Sequence, residues 1–504
     1  MTTISNQRVY ICEISQYTPA FFVSNYMQLT RSTLLFLVPG MLTFFPGCME
    51  EDFSSDPAHL LTYSTDTVRF DTLFTTIGSA TNKLMVYNRN GKPLNIATIS
   101  LKSGGSSGFR INVDGKKGTR FENVEINKKD SLYIFVEVTI KPTQQNVPQR
   151  TEEIIRFDYN GISQEILLEA FGQDAFFWRG KVLNSDTVLT GIKPILVYDS
   201  LVIEPQAHIL FEAGTRLFFH DKAKVIVRGS IEARGELGKP VLFRGNRTDK
   251  LFPDLPYDGL PGQWGGIIFE ETSYDNQLTH AHLRGTDFGI RLDSASLDRK
   301  KLVMESCIVK NSNQELIAAE HVRMEASNCE FSNSAGALLF LNGGAYRFTH
   351  CTMANFFKVG IINDAAVHLS NYKYDDGGQK YALPLQQADF NNCIIWGNRS
   401  TELSLSPLSE PANENQPFNH RFDHCLIKAK GEDDQNFIAT IWNKDPLFKA
   451  TGEAYHYDFR PDSLSPARKA GTMEYAIEFP FDLNGNVRTS DHPDLGAYQW
   501  KTGE

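Results

Sequence analysis

The feature that most constrains this chain is a short motif, centred on cysteine, that returns along its second half. Its five copies lie at 304–311 (MESCIVKN), 326–333 (ASNCEFSN), 348–355 (FTHCTMAN), 390–397 (FNNCIIWG) and 422–429 (FDHCLIKA). The cysteines are 22, 22, 42 and 32 residues apart. A unit of 22 residues is too short to bury a core alone, so the copies are expected to stack on one another.

The spacing predicts one turn of a stacked β-structure for each gap of 22 residues. A gap of 42 is close to two turns, and a gap of 32 fits one turn plus an insertion, for which the proline-rich stretch 403–417 offers a loop. Each strand should lie about 4.8 Å above the same strand of the previous turn, so that equivalent residues form columns.

The columns assign an inner and an outer face. Alternation along a strand predicts that the cysteines and the residues two positions later point inward, whereas the residue before each cysteine points outward. The inner column is Cys307, Cys329, Cys351, Cys393 and Cys425, and the outer column is Ser306, Asn328, His350, Asn392 and His424.

A second column supports the same repeat. Asn311, Asn333 and Asn355 each stand four residues after a cysteine. Asparagine tolerates left-handed backbone, which a corner requires, and stacked copies can hydrogen-bond to one another. We expect an asparagine ladder at one corner, with the thiols acting as buried small apolar groups.

These residues resemble the repeats of right-handed parallel β-helix proteins, the pectate-lyase-like superfamily in its broad sense, over residues 175–455. The resemblance implies a fold and no single activity, because this architecture serves lyases, hydrolases, epimerases and adhesins. Residues 456–504, with 493–498 (PDLGAY), resemble the choice-of-anchor tail of bacterial surface proteins, and we expect this tail to cap the last turn.

Residues 61–174 show a different pattern of short alternating strands separated by tight-turn signals. Asn90-Gly91, Asp114-Gly115 and Asn160-Gly161 supply the positive φ angles that hairpins require. The strand spacing resembles that of immunoglobulin-like β-sandwiches. The predicted fold class is therefore all-β, with an immunoglobulin-like sandwich followed by a right-handed parallel β-helix.

The amino terminus predicts export. Residues 27–47 combine Arg31 with the apolar run 33–45 and end in Gly47, directly before Cys48. This resembles a bacterial lipoprotein signal, in which the cysteine is lipidated. We predict that the protein starts at Met27, so that residues 1–26 are an extension upstream of the true start, and that residues 48–60 are a flexible acidic tether. The mature chain would then be an outer-membrane lipoprotein displayed at the cell surface, with the membrane as a partner.

Composition limits the other partners. The net charge is −10 and no run of more than three Lys or Arg residues occurs, which argues against nucleic acid. The sequence contains no phosphate-binding glycine loop. A column of thiols spreads along a line and does not surround a point, so we expect no metal at the cysteines.

The outer column holds the candidates for chemistry. In a carbohydrate-active β-helix the substrate lies along such a face, where paired carboxylates or a base act on it. His350, His424 and Asp423 are the catalytic candidates, and Asn328, His350, Asn392 and His424 the ligand-binding ones. We expect no cofactor, with calcium as the one alternative, at 375–378 (DDGG), 432–434 (EDD) and 482–486 (DLNGN), because calcium prefers oxygen ligands in loops.

Three functions remain open at this point. The first is a lipid-anchored envelope protein whose β-helix binds a glycan or another surface ligand. The second is a polysaccharide lyase or glycoside hydrolase with its site on the outer face, and the third is a structural envelope protein without catalysis. The sequence leans away from an enzyme, because no complete catalytic motif is present.

Overall fold

The computed structural model describes residues 52–252, 254–375, 377–408, 416–488 and 492–502. The predicted extension 1–26, the signal 27–47 and Cys48 lie outside the described residues. The described chain is all-β, with large parallel sheets and one short helix, α1 (Met473–Ala476). Among the described residues, no helix is long and apolar enough to cross a membrane.

Two five-stranded sheets form the first part of the fold, the two-sheet segment. Its strands are β1 (Thr62–Tyr63), β2 (Thr67–Phe74), β3 (Asn82–Tyr87), β4 (Leu94–Leu101), β5 (Phe109–Val113), β6 (Lys116–Gly118), β7 (Arg120–Ile126), β8 (Ser131–Val138), β9 (Gln149–Tyr159) and β10 (Ile162–Gln173). One sheet has the order β1-β3-β8-β5-β6 and the other β2-β10-β9-β4-β7, in which only β2 and β10 pair in parallel. Alternating side chains of both sheets share one apolar core.

The described part of the predicted tether is bonded to this segment. The Ser54 amide donates to the Pro93 carbonyl at 2.9 Å, and Asn160 Nδ2 donates to the Asp56 carbonyl at 3.0 Å. Ser54 is also buried. From Ser54 onward the chain therefore packs on the two-sheet segment, which leaves fewer residues for a flexible tether than the predicted 48–60.

The remaining strands are mostly parallel. They are β11 (Phe176–Leu183), β12 (Thr187–Leu189), β13 (Ile195–Ile203), β14 (His208–Glu212), β15 (Arg216–Phe219), β16 (Lys224–Val227), β17 (Ser230–Arg234), β18 (Val241–Gly245), β19 (Lys250–Phe252), β20 (Leu255–Pro256), β21 (Gly266–Phe269), β22 (Asn276–Thr279), β23 (Ala281–Thr286), β24 (Ile290–Leu292), β25 (Leu302–Glu305), β26 (Ile308–Ser312), β27 (Ile317–Glu320), β28 (Arg323–Ser327), β29 (Glu330–Ser334), β30 (Leu339–Asn342), β31 (Gly344–Thr349), β32 (Thr352–Asn355), β33 (Val367–Ser370), β34 (Tyr372–Tyr374), β35 (Lys380–Ala382), β36 (Leu385–Asn391), β37 (Ile394–Gly397), β38 (Leu403–Ser406), β39 (Arg421–Asp423), β40 (Leu426–Ile427), β41 (Phe437–Ile438), β42 (Ile441–Trp442), β43 (Phe448–Glu453) and β44 (His456–Pro461). A 3₁₀ turn, Tyr257–Gly259, follows β20.

The parallel strands stack into three walls around one core. Wall A contains β15, β18, β23, β26, β29, β32, β37, β40 and β42, wall B contains β16, β21, β24, β27, β30, β33 and β38, and wall C contains β12, β14, β17, β22, β25, β28, β31, β36, β39 and β41. The long strand β13 pairs with the first strands of both walls A and B. Up to β38, each turn passes from wall C to wall A and then to wall B, and its strands pair in parallel with those of the turn before. The strands after β38 belong to walls C and A alone.

The cysteines lie inside this stack, each directly before a strand of wall A. All five are unpaired and buried. The Cys307 amide contacts Cys329 Sγ at 3.4 Å, and the Cys351 amide contacts Cys393 Sγ at 3.5 Å. Burial raises the pKa of Cys351 well above its usual range, so its thiol stays protonated and behaves as an apolar group.

The corner asparagines bond to backbone and not to one another. Asn311 and Asn333 have left-handed φ angles of 62° and 60°. Asn333 Oδ1 accepts from the Phe356 amide at 3.1 Å, while Asn355 Nδ2 donates to the Ser334 carbonyl at 3.0 Å. For Asn333 and Asn355, the expected ladder of asparagine side chains is replaced by bonds to the backbone of the neighbouring turn, where buried amides and carbonyls need partners.

Two spacings differ from their sequence interpretation. Met353 of β32 pairs directly with Ile395 of β37, so the 42-residue gap is a single turn and not two. The extra residues include the antiparallel hairpin of β34 and β35. Within the 32-residue gap, β38 (Leu403–Ser406) is a strand of wall B, so the expected insertion loop does not begin at Leu403.

The C-terminal tail packs against the outer face of wall A. Trp396, Ile394 and Leu426 point outward from this wall and form a second core with Leu495 and Tyr498 of the tail. Parallel pairing ends at β42, and the tail's hydrogen bonds reach back to earlier turns, such as that from the Ala497 amide to Thr352 Oγ1 at 2.9 Å. The tail was expected to cap the last turn. In the structure it also covers the apolar residues on the outer face of wall A.

Candidate functional site

The column before the cysteines is a corner and not the outer face of a strand. Ser306, Asn328, His350, Asn392 and His424 all have left-handed φ angles, between 50° and 53°. Asparagine and histidine are enriched in this conformation, which explains why they recur here. The first four of these side chains are buried, which corrects the expectation of a solvent-facing column.

The tail buries this corner. Asn392 Nδ2 donates to the Thr472 carbonyl at 2.9 Å, and the Thr472 amide returns a bond to Asn392 Oδ1 at 2.9 Å. Arg488 Nη2 donates to Asn328 Oδ1 at 2.6 Å. These bonds satisfy the polar corner from outside, so Asn328 and Asn392 contact the tail and not solvent. Their proposed ligand-binding role stays a prediction that would require the tail to move.

His350 is enclosed between Asn392 and the tail. Its Nε2 lies 3.1 Å from Asn392 Nδ2, and its Nδ1 has no hydrogen-bond partner among the described residues. Burial, and then the charge of Arg488, hold the pKa of His350 well below its usual range. Burial also lowers the pKa of Arg488 to about 10. His350 is thus a neutral structural residue in this arrangement, out of reach of a polymer on the surface.

The structure brings Asp423 and His424 together. Asp423 Oδ1 lies 2.6 Å from His424 Nδ1, and Asp423 Oδ2 accepts from Tyr475 of α1 at 2.7 Å and from Arg421 Nη2 at 2.6 Å. Asp423 is buried, whereas 30% of the His424 side chain is exposed. A carboxylate that orients one imidazole nitrogen leaves the other for proton transfer, so this pair keeps the geometry of an acid–base group.

A polar groove lies on the outer face of wall C. One row of this face occupies the position four residues before each cysteine, and its members are register partners in consecutive turns: Val303, Glu325, Arg347, Asp389 and Arg421. From Glu325 onward the charges alternate in sign. Two depressions of about 340 and 180 Å³ share Lys300, Glu325 and Arg347, and we call them together the wall C groove.

Glu325 is the centre of this groove. Its Oε2 lies 2.8 Å from Lys300 Nζ and 3.2 Å from Arg347 Nη2, and its Oε1 lies 3.7 Å from Arg323. Burial raises the pKa of Glu325, but the Lys300 hydrogen bond and the Arg347 charge outweigh burial, and the net shift is downward. The carboxylate is therefore ionised and fixed by three cations.

The tail forms one side of the groove. Glu478 Oε1 and Oε2 accept from Arg347 Nη2 and Nη1 at 3.1 and 3.2 Å, and Phe479 lines the smaller depression. Arg347 thus bridges a carboxylate of wall C and one of the tail. This site was not predicted from the sequence, although the repeat defines the row four residues before each cysteine. Lys300 and Glu478 lie outside the repeated motif.

The calcium candidates hold their carboxylates in backbone turns. Asp482 Oδ1 accepts from the amides of Asn484 and Asn486 at 2.9 and 2.6 Å, and Asp375 Oδ1 accepts from Gly377 at 2.9 Å. In the third loop, Asp433 accepts from Trp442 Nε1 at 3.0 Å. Within the described ranges no three His, Cys, Asp or Glu side chains are grouped to hold a metal ion. The expectation of no cofactor, with calcium as the alternative, is not tested by these contacts.

Comparison with known proteins adds no function. No protein-family model matches the chain, and no curated protein matches it. Among solved structures, a family 123 glycoside hydrolase from Clostridium perfringens is 11% identical over 22% of this chain and 26% of that enzyme, with a TM-score of 0.16. The chain thus spans about a quarter of the length of that enzyme. A likeness of this extent carries no argument about fold or activity.

The burial of His350 predicts a pH-dependent stability. Because the folded pKa lies below the unfolded value of 6.5, the neutral ring stabilises the fold fully above pH 6.5, and this stability is lost as the pH falls below it. We expect a slope of up to about 1.4 kcal/mol per pH unit from this proton. The variant His350→Asn, which copies Asn328 and Asn392, should show a shallower fall in urea-unfolding free energy between pH 6.5 and 5.

The control is His456→Asn, which changes an exposed histidine. His282 and His420 also have pKa values lowered by burial, so part of the slope should remain in His350→Asn. An unchanged slope in His350→Asn, or an equal reduction in His456→Asn, would show that His350 does not carry the effect.

Proposed function

We propose that this protein is a lipid-anchored envelope protein that binds a glycan in the wall C groove. The supporting observation is the pair of adjoining depressions around Glu325, in which anionic and cationic side chains are held by one another and face a shared open space. Sugar hydroxyls both donate and accept hydrogen bonds, so a row of fixed carboxylates, guanidinium groups and amides suits them.

The proposal includes the finer architecture. We assign residues 175–455 to a right-handed parallel β-helix, residues 61–174 to an immunoglobulin-like sandwich and residues 456–504 to the tail. The in-register walls A, B and C and the buried thiols support the first assignment, and the two sheets around one core support the second. The sandwich would act as a spacer between the membrane and the groove.

Anchoring rests on the sequence of residues 27–48. The predicted chemistry is cleavage before Cys48 and acylation of its thiol, which attaches the mature chain to the outer membrane and displays it at the cell surface. One acyl chain gives weak membrane attachment, and several give stable attachment.

The anchoring prediction is tested by Cys48→Ser in a Gram-negative host. We expect wild-type protein to take up labelled palmitate and to fractionate with the outer membrane, and the variant to lose the label and leave that fraction. Cys307→Ser is the matched control, since it removes a buried thiol far along the chain. Label retained in Cys48→Ser, or wild-type protein without label, would contradict a lipid anchor at Cys48.

Glycan binding is tested with Arg347→Ala. This change removes the cation that joins Glu325 and Glu478, and we expect binding to a glycan found on an array to weaken by about tenfold or more, as loss of a charged hydrogen bond implies. Affinity is measured by calorimetry with the purified full chain.

The control for Arg347→Ala is Arg179→Ala, which removes an exposed arginine paired with Asp199 in the first turn. Its affinity should equal that of the wild type. Unchanged affinity in Arg347→Ala would place the glycan elsewhere, and no binding to any glycan on the array would reject the proposed function in favour of the structural role.

A second candidate function is cleavage of the bound polysaccharide, as a lyase or a glycoside hydrolase. The contact between Asp423 and His424 favours it, because the partly exposed ring stands three residues after Arg421, the last member of the row. His424 would act as the general acid or base, and Asp423 would hold its orientation and stabilise the charged ring.

Cleavage is tested by following new chain ends in a panel of polysaccharides. If the protein cleaves one, His424→Asn should lower the rate by about a hundredfold or more, because general acid–base catalysis contributes at least that factor. Asparagine occupies the same corner in other turns, so the fold should persist. Full activity in this variant would exclude His424, and an inert panel would exclude this enzyme class.

A further inference from the structure

Three segments of the chain contact successive parts of the outer face of wall A. Near the start of the wall, Phe74 of the two-sheet segment packs on Leu196 and Phe218, with Leu242 at the edge of this cluster. Further along, the tail covers the wall, and Ile308 marks the edge of that cover. Strands β18, β23 and β26 lie between these two covers, and the 3₁₀ turn Tyr257–Gly259 contacts β23.

The outward side chains of this stretch are mainly basic. Arg284 pairs in register with Lys310, and Arg244 stands one residue beyond Phe243, which pairs with Leu283. Arg216 lies on the preceding strand, in register with Leu242, and His282 follows on the next. We call Arg216, Arg244, His282, Arg284 and Lys310 the basic window.

A single carboxylate balances part of this charge. Asp258, in the 3₁₀ turn after β20, places its Oδ1 3.2 Å from Arg244 Nε and 2.9 Å from Arg284 Nε. Two guanidinium groups on neighbouring turns thus converge on one oxygen atom. The two guanidinium groups thus form an oxyanion site in which the carboxylate of Asp258 is one of the acceptors.

The rest of the window has no counter-charge. Within the part of the chain that the structure describes, neither Lys310 nor Arg216 makes an ion pair or a side-chain hydrogen bond. Burial lowers the pKa of Arg216, and burial together with the charges of Arg284 and Lys310 lowers the pKa of His282 to about 4. Partly buried cations without partners raise the free energy of the fold, and this cost indicates a missing anion.

We infer that the basic window binds a tetrahedral oxyanion, a phosphate or sulfate group, between Arg284 and Lys310. Asp258 pairs with Nε of Arg244 and of Arg284 and offsets part of their charge, and the other donors of Arg284 and those of Lys310 meet the incoming anion. A tetrahedral anion directs oxygens toward donors on two turns at once, whereas a carboxylate has only two oxygens in one plane. This site lies on a different wall from the groove proposed for glycans and does not depend on it.

The inference is tested by titrating sulfate and inorganic phosphate into the full chain by calorimetry, at constant ionic strength in chloride. We expect saturable binding that Lys310→Gln weakens by about tenfold or more, as loss of a charged hydrogen bond implies. Asp258→Asn removes the competing carboxylate and should tighten binding by about two- to fivefold. Acetate should bind at least about tenfold more weakly than sulfate.

Two controls separate the window from general electrostatics. Lys430→Gln makes the same charge change at an exposed position away from the window and should leave the affinity unchanged. Arg347→Ala should also leave it unchanged, so a failure of this inference is distinct from a failure of the glycan proposal. Absence of saturable binding, equal losses in Lys310→Gln and Lys430→Gln, or equal affinities for acetate and sulfate would overturn the inference.

Two further ligands distinguish between the possible sources of the anion. Glucose 6-phosphate and glucose 6-sulfate carry the same groups on a sugar, and tighter binding of either than of the inorganic ion would support an esterified saccharide as the ligand. Equal affinities would support the free ion. In both cases the Lys310→Gln variant must lose the binding; a sugar ester that this variant binds as tightly as wild type contradicts the site.

Discussion

The left-handed corner before each cysteine is the constraint on which the parallel part of the structure depends. It turns the chain from wall C to wall A, and it does so at the same place in five turns, with φ angles within a few degrees of one another. Because the turn is fixed there, the following cysteine enters the core and the strands on either side pair in register with their neighbours. Few residue types accept this backbone conformation at low cost, and Asn and His are among them. The recurrence of these residues is therefore a consequence of chain geometry.

The polar side chains at this corner need hydrogen-bond partners once the tail covers them. Buried amide and imidazole groups without partners are costly, and the tail supplies partners to Asn328 and Asn392 through Arg488 and Thr472. The same segment covers the apolar outer residues of wall A and contributes Glu478 to the wall C groove. One stretch of chain thus closes one wall and shapes the groove on another. Movement of the tail would change both.

The sequence was sufficient for the all-β class, the stacking of parallel strands and the inner position of Cys307 and its equivalents, since all three follow from local alternation and a short period. The sequence did not predict those features in which a distant segment of the chain determines the surroundings of a residue. The 42-residue gap was assigned two turns because a hairpin inside one turn leaves no mark on the period. His350 was assigned to solvent because nothing near it reveals that the tail returns over it. Glu325 and Arg347 stand at a fixed offset from the cysteines, so the sequence could have identified them as one row. Their grouping with Lys300 and Glu478 is visible only in the structure.

The two outer walls differ in how their charges are balanced, and this difference separates their chemistry. In the wall C groove, Glu325 and Arg347 are each held by groups of opposite sign, so the groove presents fixed dipoles with little excess charge, which suits a ligand with many hydroxyl groups. On wall A, Asp258 pairs with both Arg244 and Arg284, and within the described residues Lys310 and Arg216 make no ion pair. In a chain of net charge −10, such a local excess of positive charge works against the field of the whole molecule. Attraction to an anion there must come from short contacts with Arg284 and Lys310, and the window therefore selects ligands by geometry more than by charge at long range.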